Sequence, residues 1–252
     1  MKRLIASASM MIVAGLVITS SARATVPGPN GQIVYGRALW PSEKTLTFTI
    51  NPNGSNENEI YSQAAGCATW SPDGTKVLLG CLRRNGLFRP ATIDADGGHF
   101  KLLNNPDPTL NLFCWSWSPD GLRLACEGGD DVHPERDALY TVRASDGGGL
   151  RLLTKNPYGA FFCCPVVNQD GTPQYSPDGS EVMFTRFNDR GQSAAFIVNV
   201  DGTGAHQITG WGTGAFGGNW SPASGFMLHL RSIFAANEQT LACGSQATSR
   251  LA

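Results

Sequence analysis

Residues that could carry out chemistry are few and scattered in this chain of 252 residues. A serine hydrolase needs a Gly-x-Ser-x-Gly turn that presents its nucleophile, and no such pentapeptide occurs. The histidines form neither a His-Glu-x-x-His motif nor a close pair able to hold zinc; they are His99, His133, His206 and His229. The sequence therefore predicts no catalytic residue, no cofactor-binding residue and no metal ligand.

The densest group of potential oxygen ligands is an acidic loop over residues 127–137. It contains Glu127, Asp130, Asp131 and further carboxylates. Calcium binds several such oxygens, but the loop lacks the alternating Asp-x-Asp-x-Asp-Gly order of a dedicated calcium loop. Two interpretations stay open: a solvated charged loop, or a divalent-cation site that uses Asp130 and Asp131.

The strands that must position these residues are predicted from a repeated motif, an aromatic residue followed by Ser-Pro-Asp-Gly. We call each copy of this motif a box. Copies begin at Trp70, Trp117 and Tyr175, and a fourth copy at Trp220 keeps only the Ser-Pro. The spacings are 47 (70 to 117), 58 (117 to 175) and 45 (175 to 220), close to the roughly 40–50 residues of one β-propeller blade. Each box is predicted to be a hairpin turn, because Pro sets φ and Gly supplies the left-handed conformation. The aromatic ring is predicted to pack between neighbouring sheets.

A second hairpin is predicted in every unit, because Asn-Gly and Asp-Gly between apolar runs are strong hairpin signals. Its turns lie at 51–54, 94–97, 145–147 and 201–202. The strands that leave the boxes are predicted at 77–79, 122–125 and 181–184. The strands before the second turns are predicted at 46–50, 91–93, 139–142 and 196–200, and those after them at 58–60, 101–103, 151–154 and 207–209. Each complete unit thus has four strands, which is one propeller blade.

These units resemble the WD40-like (PD40) repeats of TolB-type β-propellers, in which a Trp-Ser-Pro-Asp-Gly box precedes a second Asp-Gly turn and a short strand ending in Leu-Thr. The resemblance spans residues 31–222. It implies an all-β propeller of four-stranded antiparallel blades, a periplasmic or secreted location and a role in binding protein partners. Related propellers also serve as gating domains of peptidases or as polysaccharide lyases, so the fold alone does not select a function.

The number of blades departs from the family pattern, because TolB-type propellers usually have more than the four that the boxes mark here. The first unit lacks its innermost strand and begins at 32–35, while the last supplies an innermost strand ending at Trp220. We expect that these two fragments could pair and close a four-bladed ring. Residues 223–252 are predicted to form an atypical tail, either a closing element or the end of a truncated or frame-shifted member whose ring stays open.

An insertion lengthens the interval between the second and third boxes, over residues 156–173. It contains Tyr158, Phe161 and Phe162, beside the adjacent pair Cys163-Cys164. The rings either form an exposed contact for a protein or peptide, or cover a gap between blades with the help of a disulfide. The two adjacent cysteines cannot both point to one face of a strand, because side chains alternate.

The amino terminus has the pattern of an export signal. Two basic residues precede an apolar run over 4–18, and small residues occupy positions 22 and 24. We predict a signal peptide over 1–24 and a mature chain that begins at Thr25, in the periplasm or outside the cell. The strongly apolar part, 10–18, is shorter than the roughly 20 residues of a membrane span. The 19 basic residues are balanced by 20 acidic ones, so the chain has no net positive charge with which to bind nucleic acid.

Seven cysteines in an exported chain favour disulfides. Cys114 lies four residues before Ser118 and Cys126 lies eight after it. This spacing predicts that the two cysteines face each other on the strands joined by that turn. Cys67 and Cys81 bracket the preceding turn less symmetrically.

Three hypotheses about function follow. The first is an exported non-enzymatic scaffold that binds a protein or peptide through end loops and the mouth of the central channel. The second is an accessory or catalytic propeller that acts on carbohydrate or peptide with a divalent cation in the acidic loop. The third is a truncated remnant without a function of its own.

Overall fold

The computed structural model describes residues 31–39, 44–63, 67–130, 133–155, 157, 170–221 and 227–228. Within these ranges the chain is almost entirely β-structure, with one short 3-10 helix at Pro134–Arg136. No helix in this part of the chain is long and apolar enough to cross a membrane. The predicted signal peptide, most of the insertion and most of the tail lie outside the described residues.

The first sheet has three antiparallel strands in sequence order. They are β1 (Ile33–Leu39), β2 (Lys44–Ile50) and β3 (Asn58–Tyr61). The turn between β2 and β3 is the predicted second hairpin, closed by the Gly54 N–H, which donates to the Asn51 carbonyl over 2.9 Å. As expected, this sheet has no described strand on the inner side of β1.

The second sheet has the complete four-stranded pattern, with an additional small hairpin between its second and third strands. In chain order these elements are β4 (Ala68–Trp70), β5 (Lys76–Leu79), β6 (Arg83–Arg84), β7 (Leu87–Phe88), β8 (Ala91–Asp94) and β9 (Lys101–Leu102). The small β6–β7 hairpin turns at Asn85 and Gly86, which both have positive φ, as a two-residue turn requires.

The third and fourth sheets repeat the same order of four strands. The third contains β10 (Asn111–Trp117), β11 (Arg123–Gly129), β12 (Ala138–Arg143) and β13 (Arg151–Leu152). The fourth contains β14 (Asp170–Tyr175), β15 (Glu181–Phe187), β16 (Ser193–Asn199) and β17 (His206–Gln207). The four-stranded units predicted from the boxes and second turns are therefore confirmed.

A fifth, two-stranded sheet follows, formed by β18 (Asn219–Trp220) and β19 (Met227–Leu228). Trp220 is paired with Met227, seven positions on, as Trp70 is with Val77. The incomplete fourth box therefore keeps the hairpin register of the others. The expectation that β18 pairs with the start of the first unit is wrong for the described residues, since β18 pairs with β19 instead. Closing a short hairpin costs less chain entropy than joining distant ends, which favours the local partner.

Three hydrophobic clusters lie between neighbouring sheets. One packs Ile60 of the first sheet against the second sheet, one packs Leu78 of the second against the third, and one packs Leu139 of the third against the fourth. Burial between successive sheets is the radial stacking of a propeller. The box aromatics Trp70, Trp117 and Tyr175 pack against these clusters, as predicted.

Two disulfides fasten inner strands to their neighbours. Cys114 and Cys126 are opposite each other on β10 and β11 and are bonded, which confirms the pairing predicted from their spacing. Cys67 and Cys81 form the second bridge, across the hairpin of β4 and β5. Cys163 and Cys164 lie outside the described residues.

Candidate functional site

The inner strands meet around a cavity of about 650 Å³. Strand β10 contacts both β4 and β14, and β14 contacts β18, so the first strands of successive sheets lie side by side. Residues of all four boxes line the cavity. Its lining residues are Ile33, Val34, Ala68, Thr69, Trp70, Ser71, Pro72, Ser116, Trp117, Pro119, Gln174, Tyr175, Ser176, Pro177, Asn219 and Trp220. We call this site the channel mouth.

Each box is held rigid by the same set of hydrogen bonds. In the third sheet Ser118 Oγ donates to Asp120 Oδ1 over 2.5 Å and accepts the Arg123 N–H over 2.9 Å. The Asp120 carboxylate also accepts the Leu122 N–H, at 2.9 Å. The same bonds recur around Ser71 and Ser176. The box carboxylates are thus occupied in shaping the turns.

The boxes of successive sheets also pack against one another. A Cβ added at Gly121 would lie 3.9 Å from Pro72 Cδ, and one added at Gly179 would lie 3.3 Å from Pro119 Cδ. Both glycines have positive φ, 71° and 75°, which the turn requires. The proline of each box therefore covers the glycine of the next box and forms part of the rim.

Indole N–H groups link neighbouring inner strands at the mouth. Trp117 Nε1 donates to the Thr69 carbonyl over 3.4 Å, and Trp220 Nε1 donates to the Gln174 carbonyl over 3.1 Å. In both cases the acceptor is the residue just before the aromatic residue of the preceding box. These bonds fix the rings in place, and the preorganised aromatic surface suits a binding site.

The channel mouth carries no side chain that is charged at neutral pH among its described lining residues. Its one ionisable group is the phenol of Tyr175, and burial raises the pKa of this tyrosine to about 12. The remaining polar groups are hydroxyls and amides, such as those of Thr69, Gln174 and Asn219. Such a surface can stack on apolar groups and exchange neutral hydrogen bonds, but it offers no general base and no cation for an anionic substrate.

The acidic loop is shorter than predicted, because β11 continues to Gly129 and the 3-10 helix occupies 134–136. Cross-strand pairing with 111–113 extends the strand into the region predicted as loop. Arg136 forms ion pairs with Asp130, at 2.7 Å, and with Asp107. The Asp130 backbone N–H donates to Asp137 Oδ1 over 2.8 Å. Among the described residues no three of the His, Cys, Asp and Glu side chains are placed to hold a metal, and Asp131 lies outside them.

The most perturbed carboxylate lies between the third and fourth sheets. Burial raises the pKa of Glu127 to about 7, and the nearby carboxylates of Asp170 and Asp137 act in the same direction. Hydrogen bonds from Trp115 Nε1, at 2.9 Å, and from the Thr172 backbone N–H oppose this rise. Glu127 therefore joins two blades at a seam, and it is absent from the lining of the channel mouth.

A buried ion pair stands beside this seam and was not predicted from the sequence. Arg186 donates to both carboxylate oxygens of Asp170, at 2.6 Å each. The side chains are 8% and 0% exposed, and the guanidinium lies 5.1 Å from the ring centroid of Phe184. The one sequence signal was an arginine within the apolar strand β15, where every second residue points into a core.

The histidines that the structure describes lie at the surface. His99 Nδ1 is 2.7 Å from Asp94 Oδ2 and its side chain is 85% exposed. His206 Nδ1 is 2.9 Å from the Gly204 carbonyl oxygen, also at an exposed position. The aromatic residues of the insertion, Tyr158, Phe161 and Phe162, lie outside the described residues.

Comparisons with known proteins agree on the fold. No family model matches the sequence, and a search of curated proteins finds no match. A solved structure assigned as TolB from Agrobacterium tumefaciens superimposes with a TM-score of 0.60 at 18% identity, covering 79% of this chain and 70% of that one. TolB from Acinetobacter baumannii gives 0.54 at 15% identity, covering 80% of this chain and 52% of that one. A puromycin hydrolase gives 0.50 at 16% identity, covering 75% of this chain and 28% of that one.

The chain is a β-propeller repeat protein. More particularly, its fold is similar to that of the two TolB propellers, which agrees with the resemblance that the boxes indicated. Three complete blades, a three-stranded first blade and the start of a fifth are described, and no strand pairing closes the ring within the described residues. The chain spans about half the length of the Acinetobacter baumannii protein.

Proposed function

We propose that this chain is an exported, non-enzymatic β-propeller that binds a protein or a peptide at its channel mouth. One observation carries the proposal: the mouth is an aromatic and proline-rich surface whose described lining holds no side chain charged at neutral pH. Aromatic residues are enriched in protein interfaces, where charged groups are depleted at the centre. An enzyme acting on acidic sugars or on peptide bonds would need titratable groups at this place.

Export is the second part of the proposal. The two disulfides, which each join an inner strand to its neighbour in the same sheet, suit an oxidising compartment. The signal peptide predicted over residues 1–24 supports release into the periplasm or the medium, as does the resemblance to TolB propellers. Mass spectrometry of the chain produced in an export-competent bacterium is expected to give Thr25 as its first residue. Recovery of the chain from the cytoplasm with residues 1–24 intact would contradict export.

Binding is tested by selecting displayed random peptides on the immobilised chain and titrating the best peptide by calorimetry. Trp220→Ala removes one ring from the channel mouth and is expected to weaken binding by about thirtyfold or more, the loss typical of an interface hot spot. The matched control is Phe100→Ala. Phe100 is a 38% exposed ring that stacks on Tyr61 outside the mouth, and its removal is expected to leave the affinity unchanged.

Two results would count against the proposal. The first is equal loss of affinity in Trp220→Ala and Phe100→Ala, because binding would then not involve the channel mouth. The second is turnover of a peptide or polysaccharide panel by the unmodified chain. A circular-dichroism melt of each variant separates loss of binding from loss of fold.

A further inference from the structure

Three arginines lie together on one face of the third sheet. Arg123 of β11 is directly opposite Arg143 of β12, and Arg151 of β13 is opposite Thr141. Residues directly opposite each other on antiparallel strands share a face, as do residues two apart on one strand. Leu139, two residues before Thr141, packs into the cluster between the third and fourth sheets. The face that carries the three arginines, which we call the arginine face, is therefore turned toward the fourth sheet.

The other complete sheets carry different charges at the equivalent positions. Lys76 and Glu181, like Arg123, are the second residues after their boxes. Lys76 is opposite Asp94 and forms an ion pair with it, whereas Glu181 is opposite the neutral Asn199. Like charges directly opposite each other destabilise a sheet. Among the complete sheets only the third places two cations there, and a local rule that is broken without a structural need marks a candidate functional position.

The arginine face has an excess of positive charge. Arg143 pairs with Asp146, at 2.8 Å. No carboxylate of the described residues lies within ion-pair distance of Arg123 or Arg151. Burial lowers the pKa of Arg123, and the charges of Arg151 and Arg143 act in the same direction. The three guanidinium groups thus repel one another, and a bound anion would relieve this repulsion.

Two guanidinium nitrogens flank an open position at Gly149. A Cβ added there would lie 3.8 Å from Arg123 Nη1 and 3.9 Å from Arg143 Nη1. Arg123 already donates through Nε and Nη2 to Thr141 and to the Gly149 carbonyl. Arg143 donates through Nε and Nη2 to the Asp146 carboxylate. These bonds leave both Nη1 groups for a ligand, and hydrogen bonds from arginine to a carboxylate are among the stronger ones in proteins.

Tyr175 connects the arginine face to the channel mouth. Its ring is part of the lining of the mouth, and none of the three arginines is. Burial raises the pKa of Tyr175, and the nearby guanidinium groups of Arg123 and Arg151 oppose this rise. The hydroxyl of this tyrosine is therefore close to the arginines. A ligand that stacks on the ring can thus place a neighbouring side chain at the arginine face.

We propose that Arg123, Arg143 and Arg151 bind a carboxylate of the peptide that occupies the channel mouth. The inference rests on the proposed function and names the chemistry of its ligand. That ligand presents apolar groups to the neutral mouth and an aspartate or glutamate side chain to the arginine face. The carboxylate accepts hydrogen bonds from Arg123 Nη1 and Arg143 Nη1 beside Gly149, and Arg151 adds a further positive charge.

Two displayed peptide libraries test this specificity. Both are random except at one central position, which is Glu in one library and Gln in the other. Each library is selected on the immobilised, unmodified chain. The best binder from each is titrated by calorimetry together with its counterpart, in which Glu and Gln are exchanged. We expect the Glu peptide to bind about tenfold more tightly than its Gln counterpart, because hydrogen bonds to a charged group are the stronger ones.

Arg143→Gln combined with Arg151→Gln tests the site from the side of the protein. Arg123 is kept in this double variant because its hydrogen bonds link β11 to β12. The double variant is expected to bind the Glu peptide about tenfold more weakly and its Gln counterpart with unchanged affinity. Arg84→Gln is the matched control, because Arg84 is an exposed arginine of the β6–β7 hairpin. It is expected to leave both affinities unchanged, and a circular-dichroism melt verifies the fold of each variant.

The outcomes separate this inference from the proposed function. Equal affinities of the Glu and Gln peptides, or a preference for Gln, would overturn the inference and leave peptide binding at the mouth intact. Equal losses in the double variant and in Arg84→Gln would do the same. Failure of both libraries to yield a binder would overturn the proposed function and the inference with it. A Glu peptide whose affinity is unchanged in Trp220→Ala would contradict the inference, because the arginines would then bind it apart from the channel mouth.

Discussion

The carboxyl group of Glu127 should make the stability of this propeller fall as the pH rises from acid to neutral. Burial raises its pKa to about 7 in the folded chain, against the ordinary glutamate value of 4.5 in the unfolded chain. Between these values the folded chain binds a proton that the unfolded chain has lost. Protonation linkage then lowers the free energy of unfolding with increasing pH, and the loss is complete above pH 7.

The size of the effect follows from the two pKa values. At roughly 1.4 kcal/mol per pKa unit, a rise from 4.5 to about 7 corresponds to at most about 3 kcal/mol. The groups that face Glu127 are carboxylates on neighbouring elements, Asp170 and Asp137, together with the Trp115 indole N–H. Arg186 is already paired with Asp170, at 2.6 Å.

Glu127→Gln removes the charge and keeps an oxygen for the Trp115 indole. The free energy of unfolding is measured by urea titration at several pH values from 4 to 8 for both proteins. The stability of the variant minus that of the unmodified chain is expected to increase by up to about 3 kcal/mol over this range. Glu135→Gln is the matched control, because the Glu135 side chain is 68% exposed. A difference that is flat with pH, or that falls, would refute the reasoning.

Three further changes test the architecture. Replacing Cys114 and Cys126 by Ser should lower the free energy of unfolding by about 2–4 kcal/mol in urea titrations, and an unchanged midpoint would show that the bridge is dispensable. Asp170→Asn should cost about 3–5 kcal/mol in a thermal melt, because Arg186 is left buried without its counter-charge; a loss below 1 kcal/mol would contradict this. Ser118→Ala should cost about 1–2 kcal/mol, and a neutral result would show that the box bonds do not stabilise the turn.

The sequence predicts most of the fold because each blade is specified locally. Each of the three complete boxes contains the residues that its own turn needs, and every second turn carries an Asn-Gly or Asp-Gly pair. The β6–β7 hairpin was missed even though Asn85-Gly86 is the same kind of signal. Its flanking strands are two residues each, too short to show alternation.

Contacts between blades were harder to predict because they join residues far apart in the chain. The bond from Trp220 to Gln174 and the place of Glu127 both depend on how sheets stack. The pairing of β18 was mispredicted for a related reason. The count of strands suggested that β18 pairs with the first unit, but pairing with the adjacent β19 closes a shorter loop and costs less chain entropy.

A strongly raised carboxyl pKa often marks an active site, and in this propeller the position of the group argues against that role. Glu127 lies at the seam between two blades and already accepts hydrogen bonds from Trp115 and Thr172. The channel mouth instead presents indole, proline and neutral polar groups. The residue with the raised pKa thus lies apart from the proposed binding site. We therefore expect Glu127→Gln to alter the free energy of unfolding while leaving peptide affinity at the channel mouth unchanged.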